Sequence, residues 1–411
     1  MKATSSKAIL LAASLIFPAL GFAQTTSKGA AAYANRGIAE LKSSDWDRAI
    51  ADFNRALQVD PKLAPAYANR GLARARKGDL DGAIGDYNRA LQLDPKNAKA
   101  YYNRGNAKRE KHELIAYGGV EVFSPNHEVS TAKVENADLQ SAIADFNRAL
   151  QLDPENAKAY DNRGIAKLER GDLVGAIADF NRALQFDPKL APAYETRGVA
   201  KAQKGDLDGA IADCDRALEL NPKLAGAYVD RGSAKLLKAD ADRAIADFNR
   251  ALELNPKLVG AYDGRGSANF LARNWTAALR EYRRFCELWQ RDQEYPRLAI
   301  WMIRSRLGER EAADKELATR FTAAPGSWVS KVKAYLLGNL SEADFLAAAA
   351  SPDANTDRGQ HCEAWFFAGM KNLLNGDKRA AAEFFKKCLA TEQKSEIEYH
   401  FAQAELKALG Q

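Results

Sequence analysis

The sequence predicts an all-α chain built from repeated pairs of antiparallel helices, and three observations predict it. A block ending in Tyr-x-x-Arg-Gly occurs seven times in the 411 residues, each time followed by a run of the form Ala-Ile-x-Asp-Phe-x-Arg-Ala-Leu. The usual spacing is 34 residues, as from Tyr33 to Tyr67 to Tyr101, and six of the seven blocks close on Asp-Pro or Asn-Pro. In both segments apolar residues recur at helical, not strand, spacing. Such a period marks units that cannot bury their apolar faces alone and therefore stack on their neighbours.

The N-terminus comes first. Lys2 and Lys7 precede an apolar run from Ala8 to Ala19, and Gly21-Phe22-Ala23 offers small residues where a signal peptidase reads. Residues 1–23 are therefore expected to be a cleavable secretory signal peptide, with the mature chain starting near Gln24. The run is too short to be read as a membrane-spanning helix. The first cysteine is Cys214, so the lipid-attachment signal of a bacterial lipoprotein is missing. The expectation is a soluble periplasmic protein without a direct membrane anchor.

Residues 24–291 carry the seven repeats. The first-helix aromatic is Tyr33, Tyr67, Tyr101, Tyr160, Tyr194, Tyr228 or Tyr262, with a glycine four residues on at Gly37, Gly71, Gly105, Gly164, Gly198, Gly232 and Gly266. A glycine there should let the partner helix approach closely. The second helices supply Ala49, Ala83, Ala142, Ala176, Ala210, Ala244 and Ala278, and a core aromatic at Phe53, Tyr87, Phe146, Phe180, Phe248 or Tyr282. The one departure is Cys214, which shrinks that layer. Gly78-Asp79, Gly171-Asp172 and Gly205-Asp206 each place a left-handed terminator before a side chain that can cap the next helix. Pro61, Pro95, Pro154, Pro188, Pro222 and Pro256 are expected to start the next pair.

In period, registered small and aromatic residues and junction prolines, this region resembles the tetratricopeptide repeat (TPR) family. The resemblance implies a right-handed superhelical solenoid whose concave face binds other proteins. Departures from the repeat are read against it. The third unit carries about 25 extra residues, 112–136, between its two helices. Leu114–Phe123 and Glu128–Val134 are rich in β-prone residues around Ser124-Pro125-Asn126, so a β-hairpin is expected. A tolerated loop and a partner-docking or dimerisation tongue both stay open as its role.

A row of residues repeated in every unit cannot single out a ligand. Arg36, Arg70, Arg104, Arg163, Arg197, Arg231 and Arg265, against Asp52, Asp86, Asp145, Asp179, Asp213, Asp247 and Glu281, are therefore read as a structural ladder. Specificity should lie where first helices differ. Those positions are Ala34, Ala68, Tyr102, Asp161, Glu195, Val229 and Asp263, then Ile38, Leu72, Asn106, Ile165, Val199, Ser233 and Ser267. They run from apolar and aromatic to acidic, so a partner with an apolar segment followed by basic residues would fit. The family's carboxylate clamp is incomplete. Asn35, Asn69, Asn103 and Asn162 match its Asn, and Lys99 and Lys158 one Lys, whereas the remaining positions hold Ala, Tyr, Asp, Glu or Thr. The protein-binding residues expected are Tyr102, Asn103, Asn106, Asp161, Asn162, Glu195 and Asp263.

Residues 292–411 read as divergent helical repeats. A helix pair is expected over Pro296–Phe321, shorter helices over Trp328–Leu337 and Glu342–Ala350, a recovered repeat over Glu363–Leu389 around Gly369, Ala381 and Phe385, and a capping helix over Ser395–Leu409. Ala334–Glu342, Cys362–Gly369 and Glu398–Leu406 resemble the C-terminal region of the NlpI family of bacterial TPR lipoproteins. That resemblance implies a periplasmic adaptor that docks envelope proteases and peptidoglycan hydrolases, often as a homodimer. A scaffold for secretion or outer-membrane assembly is the alternative. In an oxidising compartment a disulfide is expected between Cys362, opening the first helix of the final repeat, and Cys388, near the end of the second. Cys214 and Cys286 are expected as free thiols.

Composition adds a boundary. A charged fraction of 28% with net charge +6 describes an ordinary soluble surface, not a nucleic-acid footprint. The four histidines, His112, His127, His361 and His400, fall in no metal-binding or nucleophile motif. His112 and His127 with Glu113 and Glu128 could meet across the hairpin and bind zinc, but solvated loop histidines are the plainer reading. A non-enzymatic protein without cofactor is expected.

Overall fold

The computed structural model describes residues 28–117, 137–289, 293–394 and 396–411, all helix and turn. They fall into two compact units. The first, up to Pro188, holds α1 (residues 28–42), α2 (Trp46–Val59), α3 (Ala64–Arg76), α4 (Leu80–Leu93), α5 (Ala98–Tyr117), α6 (Ala137–Leu152), α7 (Ala157–Glu169) and α8 (Leu173–Phe186). The second begins at Lys189 with three repeat pairs. These are α9 (Ala191–Gln203) with α10 (Leu207–Leu220), α11 (Ala225–Leu237) with α12 (Ala241–Leu254), and α13 (Val259–Leu271) with α14 (Trp275–Leu288). It ends with α15 (Glu294–Arg306), α16 (Arg310–Arg320), α17 (Trp328–Leu336), α18 (Glu342–Ala347), α19 (Ala354–Leu374), α20 (Lys378–Ala390) and α21 (Ile397–Ala408).

Every repeat pair except α9–α10, where Cys214 stands in its place, is locked by one ring. Phe53, Phe146, Phe180 and Phe248 are fully buried, and a Cβ at Gly164 would come 2.7 Å from the Phe180 ring. The glycine is there because the ring leaves no room for a side chain. The turns follow their residue types as expected: Gly78, Gly171 and Gly205 are left-handed at φ +84°, +79° and +89°. The aspartates after them accept the amide hydrogens of Gly82, Gly175 and Gly209 as N-caps. Pro61 and Pro95 instead sit in the two-residue turn before the next helix, so they stop the second helix and do not enter the following one.

Within each unit the first helices of successive pairs touch one another, α3 with α5 and α5 with α7, α9 with α11 and α11 with α13. Second helices contact only first helices to any extent, which puts the first helices on the inner side of each stack. The C-terminal readings hold apart from boundaries. Gly369 approaches Phe385 as the repeat glycines approach their rings, with a Cβ position 2.5 Å away. Helix α19 starts at Ala354, so Cys362 lies inside it and does not open it. Helix α21 returns to α13, where the Phe270 and Phe401 rings lie 4.4 Å apart and Arg273 pairs with Glu405 at 3.1 Å.

The insertion departs from its expectation where it is described. Residues 114–117, read as the start of a hairpin strand, continue α5, which runs for 20 residues where α3 has 13. Arg109 anchors that extension to Glu113 and to Glu169 of α7, each at 3.1 Å. The remainder of the expected hairpin lies outside the described residues.

Candidate functional site

The arginine ladder is built into the packing. Asp86, Asp179 and Asp213 are each at most 5% exposed and accept Arg70, Arg163 and Arg197 at 2.6 Å. A second cation one turn on reaches the same carboxylate, Arg74 at 2.9 Å, Lys167 at 2.8 Å and Lys201 at 2.7 Å. Arginines of this row also reach back to the preceding second helix, Arg70 to Asn54 at 2.6 Å and Arg231 to Asp215 at 2.6 Å. Each also lies over its own first-helix tyrosine, 5.3 Å from the ring centre at Tyr160 and Tyr228. One guanidinium thus joins both helices of its pair to the pair before it. The aspartates are buried, so removing one partner of a pair would leave an uncompensated charge in the packing, at a cost of roughly 3 to 5 kcal/mol.

On the first unit, the expected binding residues gather on α5 and α7. Tyr102 leans its ring on Phe146 at 6.2 Å, and its hydroxyl accepts the Asn162 amide at 3.2 Å. Asn106 carries a buried side-chain oxygen with no hydrogen-bond partner, and Asn103 is partly exposed beside Arg104. Asp161 is 7% exposed, at the floor of this face.

On the second unit, Glu195 lies on α9 and Asp263 on α13, with α11 between them. Glu195 is partly exposed. Asp263, expected on the binding surface, is 5% exposed, and Phe270 further along its helix carries Phe401 of α21. Asp161 and Val229, at the same repeat position, are 7% and 2% exposed, so burial there does not depend on α21. Between α9 and α13, α11 presents Asp230 and Ser233, of which Asp230 was absent from the sequence reading. Burial, then the nearby Glu195, holds the Asp230 carboxyl well above the ordinary carboxylate range. The signal that could have found it is the position of the clamp asparagines: Asp230 stands where the earlier repeats carry Asn69, Asn103 and Asn162.

The histidines take structural places. His112 is 7% exposed in α5, not in a solvated loop, and burial lowers its pKa. His127 and Glu128 lie outside the described residues. His361 meets the Asp357 carbonyl at 2.8 Å, and His400 the Lys394 carbonyl at 2.8 Å. Among the described residues no group of three or more His, Cys, Asp or Glu could hold a metal ion, and no helix is long and apolar enough to cross a membrane. Cys362 and Cys388 are free thiols, fully buried, with sulfurs 3.2 Å apart. Cys214 is buried too, whereas Cys286 is partly exposed.

Sequence models described as TPR or tetratricopeptide repeat match residues 30–63, 73–110, 130–191, 191–224 and 225–258. Among solved structures, a tetratricopeptide repeat protein from Parabacteroides merdae aligns over 66% of this chain and 98% of its own, at 17% identity and a TM-score of 0.50. MamA aligns over 46% of this chain and 95% of its own, at 26% identity and a TM-score of 0.36. YrrB, described as a TPR protein with an unusual peptide-binding site, aligns over 52% and 97%, at 22% identity and a TM-score of 0.39. The repeat spacing, the glycine-to-ring locks and the matched sequence models together place this chain in the tetratricopeptide repeat family.

Proposed function

We propose that this chain is an exported, non-catalytic scaffold of the bacterial cell envelope that holds partner proteins against its first-helix faces. The observation that carries the reading is the division of labour along the repeats: the Arg-carboxylate ladder is the same in every pair, while the inner stripe of the first helices changes from pair to pair. A surface that varies on a constant frame is what a recognition face on a solenoid requires. Export is supported by Lys2, Lys7 and the short apolar run before Gly21-Phe22-Ala23. Envelope proteases and peptidoglycan hydrolases are the partners suggested by the NlpI-like segments, which also bring a homodimer into the proposal.

The test is affinity capture of the protein from its own envelope, with crosslinking before lysis. Enriched proteases or cell-wall hydrolases support the reading, and enriched secretion or outer-membrane assembly factors move the scaffold to that machinery. Fractionation should release the protein with periplasmic contents and an N-terminus at or near Gln24. Recovery from the cytosol with Met1 intact refutes export, and light scattering that gives the mass of a single chain removes the homodimer.

A further inference from the structure

We propose that α21 is a lid over a dithiol, and that Cys362 and Cys388 exchange with an outside disulfide, to form or to break a bridge, only while the first turns of α21 are lifted from α19 and α20. The inference stands apart from the protein-binding reading above.

The pair is placed for a bridge. Cys362 lies inside α19 and Cys388 near the end of α20, with their sulfurs 3.2 Å apart. The Cys362 thiol also meets the Cys388 carbonyl at 3.9 Å. Both residues are 0% exposed, so no outside reagent reaches them in the closed structure. Exchange needs a thiolate that can line up with the incoming disulfide. Burial, then the bond with Cys362, pushes the Cys388 thiol well above its ordinary range. The closed pair therefore lacks both access and thiolate, whereas a cysteine poised to react in place is exposed and has a lowered pKa.

Which element must move follows from what lies over the pair. Helix α20 packs chiefly on α19 and α21. Parting α20 from α19 would pull the two cysteines apart, so the path that keeps them together lifts α21. Its first turn lies directly against the pair, where the Cys388 thiol donates to the Glu398 carbonyl at 3.8 Å.

That turn is also the weakly held end of the helix. Its N-cap, Glu396, makes no side-chain capping bond, and Glu398, 7% exposed, buries a carboxyl near Glu363 and Glu396. The firm anchors sit further along. Phe401 packs on Phe270 of α13 and Phe366 of α19, with ring centres 4.4 and 5.9 Å away, and Glu405 takes Arg273 at 3.1 Å and Arg306 at 2.8 Å. Local opening draws on segments with few firm contacts. Because α21 also lies on α13, lifting it bares the Phe270 side of that first helix and ties the redox step to the inner side of the last repeat pair.

The step balances with a disulfide as the oxidant, either a small one or that of a thiol-disulfide oxidoreductase. With the lid raised, one cysteine loses its proton and attacks one sulfur of the oxidant, whose other sulfur leaves as a thiolate. The second cysteine then loses its proton and attacks the protein sulfur of the mixed disulfide, which releases the second thiolate. Two electrons pass to the oxidant, and its two thiolates take up the two protons. Closure of α21 shelters the finished bridge from reductants by the same barrier.

The test uses the reduced full chain in oxidised glutathione, with acid-quenched samples mapped over time for linked Cys362 and Cys388 peptides. Phe401→Ala removes the central anchor of α21 and should speed linkage at least about tenfold. Glu405→Gln, which breaks two ion pairs, should speed it about threefold or more. Circular dichroism checks folding, and Glu405→Gln decides alone if Phe401→Ala does not fold. Two other cysteines calibrate the same samples: Cys286, partly exposed, and Cys214, 1% exposed in α10. Glutathione should reach Cys214 at the unaltered rate in both variants. The lid is overturned if the unaltered chain links as fast as Cys286 takes up glutathione, if neither variant speeds linkage, or if Cys214 accelerates by the same factor.

Discussion

Removing Asp247 tests the ladder most directly. Its carboxylate is 5% exposed and accepts Arg231 at 2.5 and 3.0 Å and Lys235 at 2.7 Å. In Asp247→Ala, Arg231 retains Asp215, an acid with half its side chain exposed, and Lys235 loses the one acceptor it has among the described residues. Taking one partner from a buried ion pair costs roughly 3 to 5 kcal/mol. Both cations keep 18% side-chain exposure, so part of their hydration returns and the lower end, about 3 kcal/mol, is expected. The control is Asp208→Ala. Asp208 also pairs with a lysine of the next repeat, Lys238, but its side chain is 84% exposed, and the expected loss is about 0.5 kcal/mol or less. Urea unfolding followed by circular dichroism gives both values, and amide exchange in α11 and α12 confines the loss to the affected pair, since neighbouring repeats can open separately. If the two variants lie within about 0.5 kcal/mol of each other, burial of the aspartates is not what gives the ladder its strength.

Three further outcomes follow from the packing. Gly369→Ala should destabilise by about 1 to 3 kcal/mol, because its Cβ would lie 2.5 Å from the Phe385 ring; Gly85→Ala, with open space in the interior of α4, should stabilise by about 0.5 to 1 kcal/mol, and thermal melts of the two should move in opposite directions. Burial, then Glu363 and Glu396, holds the Glu398 carboxyl well above the usual range, so the folded chain binds that proton more tightly than the unfolded one. The resulting penalty is present above the folded pKa and vanishes as pH falls below the unfolded value, so Glu398→Gln should raise the melting temperature at pH 8 and not near pH 3, and an equal rise at both contradicts the assignment. We propose that exported protein carries a Cys362–Cys388 disulfide adding about 2 to 4 kcal/mol, since the two sulfurs lie 3.2 Å apart between α19 and α20; non-reducing peptide mapping should find the two peptides joined, and free alkylation of both under denaturing conditions rules it out.

Local rules carried most of the fold into the sequence. Glycine four residues after tyrosine and alanine at the facing contact recur in all seven pairs and a ring behind them in six, so they stand out by repetition, and glycine, alanine and ring found α19 and α20 through Gly369, Ala381 and Phe385. What failed was information that does not repeat. Residues 114–117 have β-prone side chains, yet they continue a helix whose preceding turns are tied down by Arg109 to Glu113 and to Glu169, a residue 60 positions away in sequence. Asp263 was read as presentable from its repeat position alone, yet Asp161, Val229 and Asp263 at that position are 7%, 2% and 5% exposed, and nothing near Asp263 in sequence announces that α21 will return to α13.

The surroundings of Asp230 were half legible for the same reason. Cys214 stood out as the one non-aromatic in its row, and Ser233 was among the variable positions, but each was read within its own helix. Their joint meaning needs a comparison of two neighbouring pairs in space: Tyr282 answers Ser267 where Phe248 cannot answer Ser233, and Phe248 presses on Gly264 where Cys214 leaves room for Asp230. A feature shared by all pairs is selected by stacking and says little about a ligand. Departures that fall together on α10 and α11, and that each remove bulk or a polar partner from one place, are not required by stacking, so they carry information that the ladder does not.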